Sequence, residues 1–290
     1  MIYDLNKIDK PLREIIKILK PFDVVYLKKN YTYNEKIIID INNLTFIGDN
    51  TNISYNLCHS DKRDGKIVGT SGSTTFLLTK NANNFMAKGI SFINSHIRNV
   101  NDANQAVAFK SEASGIILLN CKFISNQDTL YMDYGTNNLI VDSYITGDVD
   151  FIFGSANVLF SNCIIEATSN DNLYFTAPDT YICNRYGLVF YNSKFISKKL
   201  AYLGRRWYPS KALMEVLPRL TLIECQIIGE VIPTLIRMHD NDKDDFVLSF
   251  YNSYLNGEII TNTNDFKDIL NYSKNLLNSQ KDCIINLKKW

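Results

Sequence analysis

The sequence has no long hydrophobic run. Nowhere in its 290 residues does it reach the roughly 18 to 20 consecutive apolar residues that a bilayer-spanning helix needs, so no membrane partner is expected. An excess of either charge is also missing: 31 Lys plus Arg balance 30 Asp plus Glu, for a net charge of +1. With no Lys/Arg-dense helix, this argues against a nucleic-acid partner. The best candidate for a local basic cluster is Arg205–Arg206 with Lys211. None of the six cysteines forms a C-x-x-C pair, which argues against a zinc or redox motif. G-x-S-x-G is absent, and His59, His96 and His239 fit no triad, which disfavours a Ser-His-Asp hydrolase. No Pro/Gly/Ser-rich linker divides the chain, so residues 1–290 read as one domain. The N-terminal stretch lacks an uninterrupted apolar core and a small-residue cleavage site, so it does not read as a signal peptide.

What the sequence does have is a weak internal repeat. The fragments ISFINSHI, ILLNCKFI, LIVDSYI, LFSNCII, VFYNSKFI, LIECQII and SFYNSYL each carry apolar residues, then Asn, Asp or Glu, then Ser or Cys. The small residue falls at Ser95, Cys121, Ser143, Cys163, Ser193, Cys225 and Ser253. A constant pattern at variable spacing means fixed rungs joined by variable loops. Short period-2 strands bent at a polar-plus-small corner predict a β-solenoid, and a right-handed parallel β-helix is the best geometric match. The chain is thus expected to be all-β, with the Ser and Cys residues stacked in one internal column. Short helices should cap the ends. Residues 1–20 form the N-terminal cap, with a helix over 11–20 that starts at Pro11. Residues 265–290 form a C-terminal helical tail, with Asp265 placed to cap its helix.

Two segments carry carboxylates inside apolar surroundings: NQDTLY at 126–131 and GDVDFIFG at 147–154. A buried charge is costly unless paired. Asp128 and Asp150 on neighbouring repeats therefore point to a shared site in which their pKa values separate.

Five segments in order, GTSGSTTF (69–76), NQAVAF (104–109), NQDTLY, GDVDFIFG and YLGRRW (202–207), resemble the pectin methylesterases over roughly residues 20–260. TAPDT at 176–180 is similar to the bacterial branch of that family. The resemblance implies a right-handed parallel β-helix and the removal of methyl esters from galacturonate units of pectin, without metal or organic cofactor. It implies Asp150 as nucleophile, Asp128 as general acid and then base, and Gln127 and Gln105 as oxyanion donors. Arg205 would hold the nucleophile. Substrate contacts would come from Thr70, Gln105, Arg205, Trp207, Tyr131 and Phe151. The implied partner is methylated homogalacturonan, met outside the cell, by a chain that works as a monomer. A β-helix polysaccharide lyase and a non-catalytic polysaccharide-binding adhesin are the alternative readings. Departures from the family are Arg206 in place of Pro, Tyr31 in place of an early Gly, and Ser143 where some relatives bridge a cysteine to the equivalent of Cys163.

Overall fold

A computed structural model describes residues 1–99, 104–168, 173–210, 212, 214–262 and 266–290. Lys211 and Asp265 lie outside the described residues. The strands stack in three parallel columns. The first runs through Ile37–Ile39, Phe76–Leu78, Phe109–Ser111, Leu130–Met132, Ile152–Gly154 and Leu173–Pro178. The second includes Ile117–Leu119, Asn138–Val141, Val158–Ser161, Leu188–Tyr191, Arg219–Ile223 and Val247–Tyr251. The third includes Lys122–Ile124, Tyr144–Gly147, Ile164–Ala167 and the start of Lys194–Arg206. This is the expected right-handed parallel β-helix. Like residues pile up inside it. Phe76 stacks on Phe109 at 5.7 Å, Phe92 on Phe123 at 5.6 Å and Phe160 on Phe190 at 4.4 Å.

The polar-plus-small repeat is the corner between the second and third columns. One residue makes the turn, and it must enter the left-handed region: Asn120, Asp142, Asn162, Asn192, Glu224 and Asn252 all have φ between 44° and 56°. Asn and Asp tolerate that conformation better than most residues. The next residue then points inward, where only a small side chain fits. Cys121, Ser143, Cys163, Ser193, Cys225 and Ser253 are all buried. Each serine hydroxyl accepts the backbone N–H of the cysteine one rung below: Cys121 at 3.1 Å, Cys163 at 3.0 Å and Cys225 at 3.2 Å. All six cysteines are free, and burial pushes the thiols of Cys121, Cys163 and Cys225 up to about 12. Ser95 does not belong to the column. It is exposed, and ISFIN is a third-column segment whose Phe92 pairs with Phe123. In that rung Gly89, at φ 65°, lies at the corner.

Outside the corner the turn residues form a ladder. Asn162 Nδ2 donates to Asp142 Oδ1 at 3.2 Å, and Asn192 Nδ2 donates to Asn162 Oδ1 at 2.6 Å. Asn162→Ala is expected to cost about 1–2 kcal/mol through left-handed strain alone. Asn162→Gly, which loses the ladder but not the conformation, should cost less. Urea denaturation of the two variants measures the difference.

The N-terminal helix is shorter than expected, Leu12–Ile16, with Pro11 at its N-cap position. Its first amides are capped from afar, because Glu35 accepts Leu12 N–H at 3.1 Å and Arg13 N–H at 3.0 Å. Leu12, Ile15 and Leu19 join the main core and close this end. The tail forms two helices, Lys267–Ser279 and Lys281–Lys289. It does not seal the other end, where Ser253–Leu255 folds back on Glu258–Ile260 as an antiparallel pair. Instead Leu276 and Leu287 lie on the outer face of the second column, against Ile117, Leu139, Leu159 and Val189. Phe266 stacks on Tyr251 at 3.5 Å, Tyr272 on Tyr186 at 3.9 Å, and Lys288 pairs with Asp142 at 3.0 Å. The tail thus runs back along the solenoid as a strap. Among the described residues no helix is long and apolar enough to cross a membrane.

Candidate active site

Asp128 and Asp150 occupy the same position on adjacent rungs, each two residues before the aligned pair Leu130 and Ile152. Both sit in the left-handed region, at φ 66° and 51°. The corners are bonded to one another: Asp128 N–H donates to Val149 O at 3.0 Å, and Leu130 N–H to Phe151 O at 2.8 Å. Two stacked turns of like geometry therefore bring both carboxylates into a cleft of about 350 Å³. Thr70, Ser71, Gln105, Gln127, Tyr131, Phe153, Ala177, Trp207 and Met238 line the same cleft.

The floor of the cleft is one column of outward side chains set by strand register, Tyr131, Phe153 and Ala177, with the buried Lys110 next in the same column. Tyr131 stacks on Phe153 at 4.2 Å, and Trp207 leans on Phe153 at 5.7 Å. Arg205 is on the next rung, and the small Ala177 beneath leaves its side chain room to cross to Asp150. Arg205 Nε donates to Asp150 Oδ1 at 2.9 Å and Nη2 donates to Oδ2. The guanidinium also lies 4.4 Å over the Tyr174 ring, itself stacked on Tyr202 at 5.6 Å. This forked grip fixes the plane of the carboxylate as a lysine could not.

The two acids are electrostatically unequal. Asp128 and Asp150 are 8% and 4% exposed, and burial pushes both carboxyls up. Arg205 opposes this at Asp150 through direct hydrogen bonds. At Asp128 it acts only through its field, while the Asp150 charge pushes the same way as burial, so Asp128 is displaced well above the usual carboxylate range. The geometry suits one ionised and one protonated acid.

Phe151 departs from the expected set. It is fully buried and packs on Phe175 at 5.5 Å. The left-handed turn at Asp150 sends the following side chain inward, and Phe153 and not Phe151 lines the cleft. Gln105 lies in the wall with Oε1 buried and, among the described residues, without a hydrogen-bond partner. Thr70 Oγ1 lies 3.1 Å from His59 Nδ1 in the short helix Gly69–Gly72. Ser71 and Lys110 were not anticipated. Lys110 is 4% exposed and bonds Ser71 Oγ at 2.9 Å, Glu112 at 2.8 Å and Asp133 at 2.8 Å, with its ammonium 4.5 Å over Tyr131. It ties the Ser71 wall to the floor. Among the described residues no three His, Cys, Asp or Glu side chains cluster as a set that could hold a metal ion.

A family model described as Pectinesterase matches residues 3–232. The chain belongs to the pectinesterase family. Pectinesterase A of Dickeya chrysanthemi is 34% identical over 216 residues, covering 64% of this chain and 58% of that protein. The chain thus spans about three fifths of the length of that protein and about two fifths or less of most other curated relatives. Among solved structures, pectin methylesterase PemA from Erwinia chrysanthemi superposes with a TM-score of 0.78 at 23% identity, covering 95% of this chain and 96% of the other. A pectin methylesterase from Yersinia enterocolitica does so with a TM-score of 0.75 at 26% identity, covering 87% and 92%.

Against the pectinesterase pattern, Arg206 neither enters the groove nor reaches open solvent. It is buried beneath the loop that follows Arg237, where Nη1 donates to Lys243 O at 3.2 Å and to Asp244 Oδ1 at 3.3 Å. Its guanidinium lies 4.9 Å over Phe246. That loop carries Met238 to the cleft, so the extra charge secures a wall. Tyr31 disturbs no turn, because Asn30, at φ 52°, takes the left-handed position. Ser143 and Cys163 sit on successive rungs without a bridge.

Proposed function

We propose that this chain hydrolyses methyl esters of galacturonate units in pectin and releases methanol. The observation that carries the reading is the pair of acids on aligned left-handed corners of one cleft, with a guanidinium forked onto only one of them. Family membership and the names of the relatives support the substrate. Ionised Asp150 attacks the C6 carbonyl carbon, and the carbonyl electron pair moves onto oxygen. Amide N–H groups of Gln127 and Gln105 donate to that oxyanion, each worth about 3 to 4 kcal/mol in the transition state. The tetrahedral intermediate collapses, the C–OCH₃ bond breaks, and Asp128 gives its proton to the departing oxygen. Methanol leaves an anhydride on Asp150. Asp128, now ionised, takes a proton from water as the hydroxyl attacks the anhydride. This frees the galacturonic acid, which gives its proton to solvent, and restores ionised Asp150 and protonated Asp128. Tyr131, Phe153 and Trp207 supply faces for the C–H side of sugar rings, and Thr70 a hydroxyl at the rim.

All these groups come from one chain, so a monomer suffices. Since pectin is a wall polymer, the reading places the work outside the cell. The direct test offers highly methylated pectin and follows methanol alongside the unsaturated product of a lyase. Methanol without unsaturated sugar is the expected result. Pectin binding without methanol overturns the reading in favour of a polysaccharide-binding β-helix.

A further inference from the structure

Two charged side chains outside the residues given roles above lie against the acid pair. Asp148 is 3% exposed and two residues before Asp150, and Arg98 reaches it from the segment after Met86–Asn94. Arg98 Nη1 donates to Asp148 Oδ2 at 2.8 Å, with side-chain exposures of 12% and 4%. The other oxygen, Asp148 Oδ1, accepts the backbone N–H of Val149 at 2.6 Å. Val149 O in turn accepts Asp128 N–H at 3.0 Å. The backbone of Asp148 closes the same corner, since its N–H donates to Asn126 O at 3.1 Å and its carbonyl accepts Tyr174 N–H at 2.9 Å. One buried ion pair is therefore bonded into the turn from which both reactive acids project.

The field of this pair reaches both acids. Asp148 and Arg98 act in opposite senses on Asp128 and on Asp150. The other charged groups facing Asp128 are Asp150 and Arg205, and Arg205 also faces Asp150. Intact, the pair is close to neutral as a unit. Halved, it leaves an uncompensated buried charge beside the acids.

We propose that Arg98 and Asp148 form a positioning pair that holds the Asp128–Asp150 corner and sets the pH window in which one acid is protonated while the other is ionised. The proposal rests on the ester-hydrolase reading above. Its signs follow from electrostatics. Asp148→Asn keeps the shape and the acceptor for Val149 but leaves Arg98 as a lone cation, which favours the ionised acids. Both limbs of the pH–rate profile then move to lower pH, by about one unit. Arg98→Met removes a cation that favours the ionised acids; above the pH at which the unpaired Asp148 ionises, its charge favours the protonated acids, and both limbs move up. The double variant Arg98→Met/Asp148→Asn returns toward wild type, and Arg98→Lys restores most of the window.

The experiment measures methanol release against pH for these proteins, together with ¹³C titration of the Asp128 and Asp150 carboxyl groups. Opposite displacements in the single variants, cancelling in the double variant, are the expected result. Limbs and titrations that stay put, or that move the same way in both singles, overturn the proposal. If wild type releases no methanol, the hydrolase reading fails, and the carboxyl titrations still decide whether the pair governs the acids. If Arg98→Met does not fold, Asp148→Asn still gives the sign, with Arg98→Lys as the charge-conserving control.

Discussion

Asp150→Asn should reduce methanol release from methylated pectin by about four orders of magnitude or more, as removal of a covalent nucleophile does elsewhere. The amide is nearly isosteric, and asparagine tolerates the left-handed backbone at φ 51°. The corner, the cleft and the position of Arg205 should therefore survive, and circular dichroism and Tm should stay near wild type. Asp150→Ala should be equally inactive but less stable, because alanine adds left-handed strain of about 1–2 kcal/mol and leaves the guanidinium without its carboxylate. The two variants together separate chemistry from folding. Kinetics at saturating pectin give the comparison, and retention of even a tenth of the wild-type rate by Asp150→Asn would remove Asp150 from the mechanism.

Arg205→Met is expected to have the next largest effect. Burial already pushes Asp150 up, and Arg205 supplies the opposing pull through two hydrogen bonds. Without it a lone carboxylate in this cleft is too costly and takes up a proton instead. The nucleophile is then mostly neutral at neutral pH, and kcat should fall about 10²- to 10³-fold, from misorientation and lost ionisation together. The sign is specific. The acid limb of the pH profile moves up, so the deficit is deepest at low pH and narrows as pH rises through the new value. Arg205→Lys should fall between, because an ammonium supplies charge without the planar fork. A uniform loss at every pH would mean that Arg205 only orients Asp150.

Much of this was readable from residue types because the fold makes narrow local demands. A one-residue corner needs a left-handed backbone followed by a small inward side chain, and Asn-Cys or Asn-Ser meets both needs visibly. ISFINSHI shows where such reading goes astray: it has the same composition, yet Gly89 lies at its corner and Asn94 ends a strand. Phe151 was misplaced for a related reason. Period-2 alternation holds along a strand and breaks at a positive φ, so the neighbour of a corner aspartate turns inside. Arg98 was invisible because it lies 50 residues from Asp148 in a segment of no pattern. The tail was legible as helix but not as strap. Yet a signal was there: IILL, NLIV and VLF in the second column do not alternate, as expected of strands covered on both faces.

Because Asp128 and Asp150 ride on neighbouring rungs, their spacing is inherited from the ladder, where adjacent strands lie about 4.8 Å apart. No side-chain rearrangement has to find it, and lengthening a loop elsewhere on the spiral leaves it untouched. The vulnerable interval is the corner between Gly147 and Ile152, where one inserted residue would slide the second acid off its register and send it to the other side of the wall.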